Sequence, residues 1–446
     1  MTRAMKDSGI EWIGQIPENW KMLRMKNCVA IRNGGAWGDD ASNTVGDCIC
    51  LRIADFDYNH FKFKDTKDLT IRHYDMKTIQ KLKLQHNDIL IEKSGGGDKT
   101  PVGRSVIFDK CYDAIFANFM DRIRCRNFVF PMYFQYILIT FYKNNYTKNY
   151  INQTTGIQNL DLTSMLSKEQ IYIPPLCEQQ KIADYLDKRC EKIDTAIDNQ
   201  KQIIEKLKEY KQSLITETVT KGLNPNAKMK DSGIEWIGSI PEHWNIRALK
   251  FILQNRNEKN NPILTTERLS LSIDKGVTLY AEKTTNLDRF KEDFTQYKIA
   301  RPGDLVINSM NVITGAEGVS NYFGCVSPAY YVLFSKDMET TKYCDYIFKT
   351  SSIKRILFCL GKGILAIERG NDKVNTCRLK VSINDLGRLN FPLPPLSEQK
   401  EIAEYLDKKC NQIDEAIKQK EETISKLEEY KKSLIFECVT GKKEVA

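Results

Sequence analysis

The sequence predicts an α+β protein in which two globular domains are joined by two long antiparallel coiled-coil helices, the whole forming a pseudo-twofold tandem repeat. Three observations carry that expectation. Two stretches recur in both halves of the 446-residue chain. Each recurrence ends in a long segment of helical periodicity, and the stretches between the repeats mix strand-like with helix-like runs.

The first repeat is Met5-Lys6-Asp7-Ser8-Gly9-Ile10-Glu11-Trp12-Ile13-Gly14, which returns unchanged as Met229 to Gly238; both copies continue into Ile-Pro-Glu-x-Trp, ending at Trp20 and Trp244. The second begins at Pro174-Pro175-Leu176 and Pro394-Pro395-Leu396 and runs without a gap to Val219-Thr220 and Val439-Thr440. Between them, residues 21–173 and 245–393 are hardly alike. Shared blocks therefore do one job twice, and divergent blocks do related jobs on different targets. The domains follow: 1–173 and 223–392 globular, 174–222 and 393–446 helical.

From Glu178 onward Ile182, Leu186, Cys190, Ile193, Ile197, Ile204, Leu207 and Leu214 recur at steps of three and four or their multiples, and Ile402, Leu406, Cys410, Ile413, Ile417, Ile424, Leu427 and Leu434 repeat the set. That spacing is a coiled-coil seam. The Pro-Pro pair sets a hard start, with Ser397 a good N-cap and Cys177 a poor one. Gly222 and Gly441 suit the stops. About 42 helical residues at 1.5 Å each give a rod of roughly 60 Å. Gln200, Lys211, Lys420 and Lys431 interrupt the seam, either to fix register or merely to snorkel at its edge. A lone helix with such a stripe needs a partner, and its twin in the same chain is the nearest.

Composition narrows the class. No apolar run approaches the roughly 18 to 20 residues that cross a bilayer, and Met1 to Lys6 lead straight into polar sequence, so a cytoplasmic protein without membrane partners is expected. Thirteen scattered cysteines favour free thiols over a disulfide framework. Zinc is not expected: no Cys-x-x-Cys occurs, and His60, His73, His86 and His243 do not pair at ligand spacing. A net charge of +9 leans toward an anionic partner, since phosphate-neutralising lysines and arginines release counterions.

Within the first divergent block, 47–53, 88–92, 104–108 and 117–125 read as strands and 131–142 as a helix; in the second, 268–273, 304–307 and 330–334 read as strands and 343–358 as a helix. A buried strand followed by a polar, glycine-bearing loop occurs in both, at Asp88 to Thr100 and Asp304 to Gly318. Lys93, Ser94, Lys99 and Arg104 in the first, with Asn308, Ser309 and Asn311 in the second, are candidate DNA-binding residues. A further pair of segments precedes the long helices and supplies Gln158 and Asn159, then Arg369 and Lys373, whose amides and cations suit base edges. The tryptophans of the shared lead-in block read as core anchors.

Ile-Pro-Pro-Leu-Cys-Glu-Gln-Gln-Lys-Ile-Ala-Asp-Tyr-Leu-Asp from Ile173, its counterpart Leu-Pro-Pro-Leu-Ser-Glu-Gln-Lys-Glu-Ile-Ala-Glu-Tyr-Leu-Asp from Leu393, the motif Gly-Ile-Glu-Trp-Ile-Gly-x-Ile-Pro-Glu-x-Trp and Gly-Asp-Leu-Val-Ile at Gly303 together resemble type I restriction-modification specificity subunits over nearly the whole chain. The resemblance implies two target-recognition domains reading a bipartite site in double-stranded DNA. It also implies two N6-adenine methyltransferase subunits using S-adenosylmethionine, and restriction subunits using ATP and Mg. This chain would bind none of those cofactors and hold no catalytic residue. One departure is Asn87-Asp88, where the family commonly has Gly-Asp.

Enzyme readings find little support. The Asn-Pro-Pro-Phe/Tyr tetrad of a methyltransferase is absent, and in Gly97-Asp98-Lys99-Thr100 an aspartate separates glycine from lysine, unlike a phosphate-binding loop. The rival from another class is a coiled-coil scaffold that binds proteins alone, which the divergent, basic blocks disfavour.

Overall fold

The computed structural model describes residues 3–445 apart from 12, 67, 98, 99, 155, 274, 283–292 and 365–377. Two compact units emerge, one of residues 1–201 with 420–446 and one of residues 202–419. The long helices span Leu176–Lys221 and Leu396–Val439. Each unit thus holds the start of one long helix and the end of the other, whereas the linear division expected from sequence keeps each helix whole.

Burial of the seam explains that division. In the first unit Ile182, Leu186, Ile193 and Ile197 share one core with Leu434, Ile435 and Val439, and the half-buried Ile424 and Leu427 pack against it. In the second unit Ile402 and Leu406 share a core with Ile215 and Val219, with Leu214 at its edge. Ile204 and Ile413 are buried, and Leu207 and Ile417 half-buried. Asp194 meets Lys431 at 2.7 Å, and the segment 130–133 touches Gln179 near the start of the first long helix and Val439 at the end of the second, so the two segments of the first unit run antiparallel. Lys211 and Asp414 form the corresponding pair in the second, also at 2.7 Å. Two of the lysines that interrupt the seam therefore carry their own counter-charge.

The shared motifs close on one another. The buried Trp20 indole donates to Glu178 at 3.1 Å, and Trp244 donates to Glu398 at 2.8 Å. The neighbouring Gln179 is fully buried; its amide donates to the carbonyls of Pro174 and Phe128 at 2.9 Å each and accepts from the Phe130 amide at 2.7 Å. Gln399 likewise donates to Pro394 at 2.8 Å. Both helices begin two residues earlier than the cap assignment requires, so Cys177 and Ser397 lie inside the first turn and neither is an N-cap. The carbonyls of Pro175 and Pro395 accept the first helical amides instead, and a proline there forfeits only an N–H the helix does not use. At the far ends Gly222 and Gly441 adopt φ of 76° and 72°, the left-handed stop that favours glycine.

A tyrosine ties each helix end to its globular block. Tyr133 lies on the helix Pro131–Lys143, and its hydroxyl is 3.2 Å from the carbonyls of both Tyr172 and Val439. Tyr343 lies on the helix Met338–Phe348, and its hydroxyl is 3.0 Å from those of Pro392 and Val219.

Each block is built on a four-stranded antiparallel sheet. In the first unit the order is Ser105–Ile107, Ile89–Glu92, Met120–Cys125, Val29–Gly34; in the second it is Gln254–Asn255, Tyr330–Phe334, Leu305–Asn308, Glu317–Val319. Ile91 faces Ser105 in the first as Ile307 faces Glu317 in the second, so the central strands are equivalent. The departure at Asn87 does not disturb this. Asn87 holds φ 72° where Gly303 holds 90°, a conformation asparagine tolerates. Asp88 and Asp304, which follow, are both buried and both gripped by an arginine, Arg124 and Arg256.

The helix expected over 343–358 is two helices, Met338–Phe348 and Ser351–Leu360. The break falls where the Thr350 side chain accepts from Ile353 and caps the second; threonine competes with the helix for backbone donors. The twelve described cysteines are unbridged, and among the described residues no helix is long and apolar enough to cross a membrane.

Replacing Tyr343 by phenylalanine leaves the Val219 and Pro392 carbonyls without their donor in a buried site. A loss of about 1–3 kcal/mol is expected, read as a lowered urea midpoint by circular dichroism.

Candidate nucleic-acid interface

In the first unit the chain leaves the central strand at Lys93, and Ser94–Gly95 then adds to the hairpin formed by Ile151–Thr154 and Ile157–Leu160. Asn159 lies opposite Ser94, whose hydroxyl donates to its side-chain carbonyl at 2.7 Å. The Leu160 amide donates to the Lys93 carbonyl at 2.7 Å. Two segments that are far apart in sequence thus become one surface. Gly96 turns the loop at φ 62°, and a side-chain carbon there would come within 2.8 Å of the Thr100 carbonyl oxygen, so the turn excludes other residues.

The side chains divide into outward and inward sets. Asn159 is exposed, as are Asn152 and Gln153 on the partner strand, while Ile157 is half-exposed. Lys93 is partly exposed and pairs with Asp121 at 2.8 Å; the same carboxylate holds Arg32 at 2.8 Å. Gln158 is buried and accepts from the Val102 amide at 3.3 Å.

Arg104 is buried as well, gripping Glu92 through two bonds of 2.8 and 2.9 Å, with its guanidinium 3.6 Å above the Tyr58 ring. Burial pushes the Glu92 carboxyl up, with Arg104 pulling the other way. Its role in this structure is internal: it floors an open concavity of about 780 Å³ whose rim includes Ser94, Gly95 to Gly97 and Phe119. Lys99 lies outside the described residues.

The second unit repeats the plan with other side chains. The Val381 amide donates to the Ser309 carbonyl at 3.0 Å, which is the tether seen between Leu160 and Lys93. It holds the hairpin Lys362–Ile364 with Arg378–Lys380 against the end of the central strand. Asn308 and Ser309 are buried: Asn308 accepts from the Met310 amide at 3.1 Å, and Ser309 donates to the Ala329 carbonyl at 2.8 Å. Asn311 is exposed. Arg369 and Lys373 lie outside the described residues.

Asn152, Gln153, Lys362 and Lys380 also lie on these hairpins, outside the residues expected from sequence. The lysines stand directly opposite one another on the hairpin, both exposed, an arrangement that repels itself until an anion arrives. Burial, and then Lys380, lower the pKa of the nearby Lys298. The available signal was the alternation of polar residues around Gly156, whose φ of 84° makes the hairpin turn. Among the described residues no group of three or more histidine, cysteine, aspartate or glutamate side chains could hold a metal ion. What this surface offers is amide, hydroxyl and ammonium groups on a backbone-tethered hairpin, a chemistry suited to base edges and phosphates.

The family model for the type I restriction modification DNA specificity domain matches the chain twice, over residues 17–209 and 241–426. A candidate specificity subunit of the type I restriction enzyme MjaX from Methanocaldococcus jannaschii is 24% identical over 96% of this chain and 95% of its own length. The specificity subunit of the type I restriction enzyme StySPI from Salmonella potsdam is 23% identical over 96% and 90% respectively. Among solved structures, a chain from a type I restriction-modification system studied for its complex assembly and conformational transition aligns with a TM-score of 0.67 at 16% identity, covering 95% of this chain and 98% of that one. The HsdS subunit from Thermoanaerobacter tengcongensis aligns at 0.52 and 15% identity, covering 98% and 100%. With both halves matched and the fold shared, this chain belongs to the specificity subunits of type I restriction-modification systems and carries two DNA specificity domains in tandem.

Proposed function

We propose that each unit lays its tethered hairpin and the adjoining central-strand loop against one half of a split site in double-stranded DNA. The observation that carries this is the same main-chain tether, Leu160 to Lys93 and Val381 to Ser309, holding unlike side chains. Main-chain bonds position the reader, and the side chains along it choose the bases. Unlike readers take unlike half-sites.

The repeated helix pairs give two equivalent surfaces, to which two copies of one adenine methyltransferase subunit dock. S-adenosylmethionine belongs to those subunits, and ATP and Mg to restriction subunits that join them. This chain contributes recognition and assembly in the cytoplasm, and the chemistry belongs to its partners. The test is single-molecule detection of N6-methyladenine in DNA exposed to this chain together with its methyltransferase. A methylated motif of two half-sites separated by a fixed gap supports the reading; methylation that ignores sequence overturns it.

Three further outcomes are expected. Exchanging residues 21–173 for those of a relative alters one half of the methylated motif and spares the other, as read by the same sequencing. Adding about one heptad of seam to each long helix changes the gap between half-sites and leaves both half-sites unchanged. Asn159→Ala lowers the melting temperature only slightly, because the bond it loses to Ser94 is solvent-exposed, and relaxes discrimination at one base by about 1–3 kcal/mol in competition binding.

A further inference from the structure

A tight turn at residues 117–120 closes the end of the first unit's sheet from which the reader loop departs. The Met120 amide donates to the Ala117 carbonyl at 3.2 Å, and both of those residues are buried. Main-chain bonds lock the turn on either flank. Ala117 donates to Leu51 at 2.9 Å, Gly35 donates to Met120 at 3.1 Å, and the Phe119 carbonyl accepts from the amides of Lys93 at 2.9 Å and Ser94 at 3.3 Å. A side-chain carbon at Gly35 would come within 2.3 Å of the Ala117 carbonyl oxygen, so the close approach admits only glycine.

On this rigid mount Phe119 is 50% exposed. The turn itself does not call for it, because turn positions favour glycine, asparagine, aspartate, serine or proline. The second unit builds the same turn at residues 327–330, where the Tyr330 amide donates to the Ser327 carbonyl at 3.0 Å and Ala329 stands in the place of Phe119. That equivalence follows from register: Met120 faces Glu92 as Tyr330 faces Asn308. A phenyl ring is therefore set at this place in the first unit and not in the second. It shares the rim of the open concavity with Ser94, Gly95 to Gly97 and Thr100, and so flanks the loop that adds to the hairpin Ile151–Thr154 and Ile157–Leu160.

The exposed amides of Asn152, Gln153 and Asn159 on that hairpin can read donors and acceptors on base edges. A phenyl ring cannot. Among the features that base pairs present in the major groove, one is apolar, the 5-methyl group of thymine. Contact between ring and methyl removes apolar surface of both from water. Amides suit adenine, the pairing partner of thymine, so A·T pairs satisfy both kinds of side chain on this surface.

We propose that Phe119 reads a thymine 5-methyl group in the half-site taken by the first unit. The inference rests on the reading that the tethered hairpin faces DNA, since ring and hairpin belong to one surface. Ala329, which ends at its Cβ, brings no ring to the other half-site.

The probe is a duplex carrying the motif that the wild-type chain methylates together with its methyltransferase, with each thymine in turn replaced by deoxyuridine. Deoxyuridine pairs as thymine does and lacks only the methyl. Competition binding compares complexes made with the wild-type chain and with Phe119→Ala. In wild type one uracil, in the half-site that follows residues 21–173, weakens binding about fourfold, the worth of one buried methyl group. With Phe119→Ala that uracil costs nothing, and uracils in the other half-site act alike on both chains. A variant that had only lost stability would bind every duplex more weakly in proportion and keep the uracil effect. A first half-site without thymine, wild-type binding indifferent to every uracil there, or a uracil effect that persists in Phe119→Ala overturns the assignment alone. So does 2-aminopurine in that half-site brightening with wild type and not with Phe119→Ala while uracil has no effect, which would make the ring a wedge between bases. A complex that binds all duplexes alike, whatever their sequence, overturns the DNA reading with it.

Discussion

A buried indole beside a carboxylate must donate to it, and that requirement closes both halves of this molecule. Trp20 on Glu178 and Trp244 on Glu398 join the last residue of the lead-in motif to the first turn of the long helix. A buried, unpaired N–H is costly, so each indole needs its carboxylate, while Glu178 is also held by Arg3 and Glu398 by His243. The helix start fixed by this contact, together with the carbonyls that Gln179 and Gln399 bind, sets which face of each rod is apolar toward the globular block. Everything packed on that face inherits its register from there, including the tyrosine ties and the opposite helix end.

Much of this was legible in the residues. Duplicated blocks are visible without any structure, and a seam at steps of three and four has few alternatives to a coiled coil. The central strands around Ile89 and Leu305 were readable because short β-branched runs bounded by turn residues are a local signal. The helix break at Thr350 was not, because apolar periodicity continues across it and only the cap geometry reveals the stop.

The candidate site was legible at the level of segments and not of side chains. Both segments singled out in the first unit do come together, through Ser94 and Asn159. Within them, Arg104 and Gln158 point inward and Asn152 and Gln153 outward. A polar residue in a strand can face either way, and its direction depends on whether the far side offers a partner. Glu92 does so for Arg104, and the Val102 amide for Gln158. Neither partner is predictable from the immediate neighbours of the residue it satisfies.

The tether that positions each hairpin uses only main-chain atoms, and this has a consequence for how such a molecule can change. A contact between an amide and a carbonyl places no demand on the side chains of either residue, so the lysine and serine at its acceptor end differ freely between the two units, as do the leucine and valine at its donor end. The demands on side chains fall instead on the shared blocks, where tryptophan, glutamate and glutamine each meet a specific partner, and on the one tyrosine that each divergent block keeps for its tie. Side chains can then vary along the hairpins while the frame that presents them keeps its geometry, and this is the pattern of likeness and unlikeness that the two halves display.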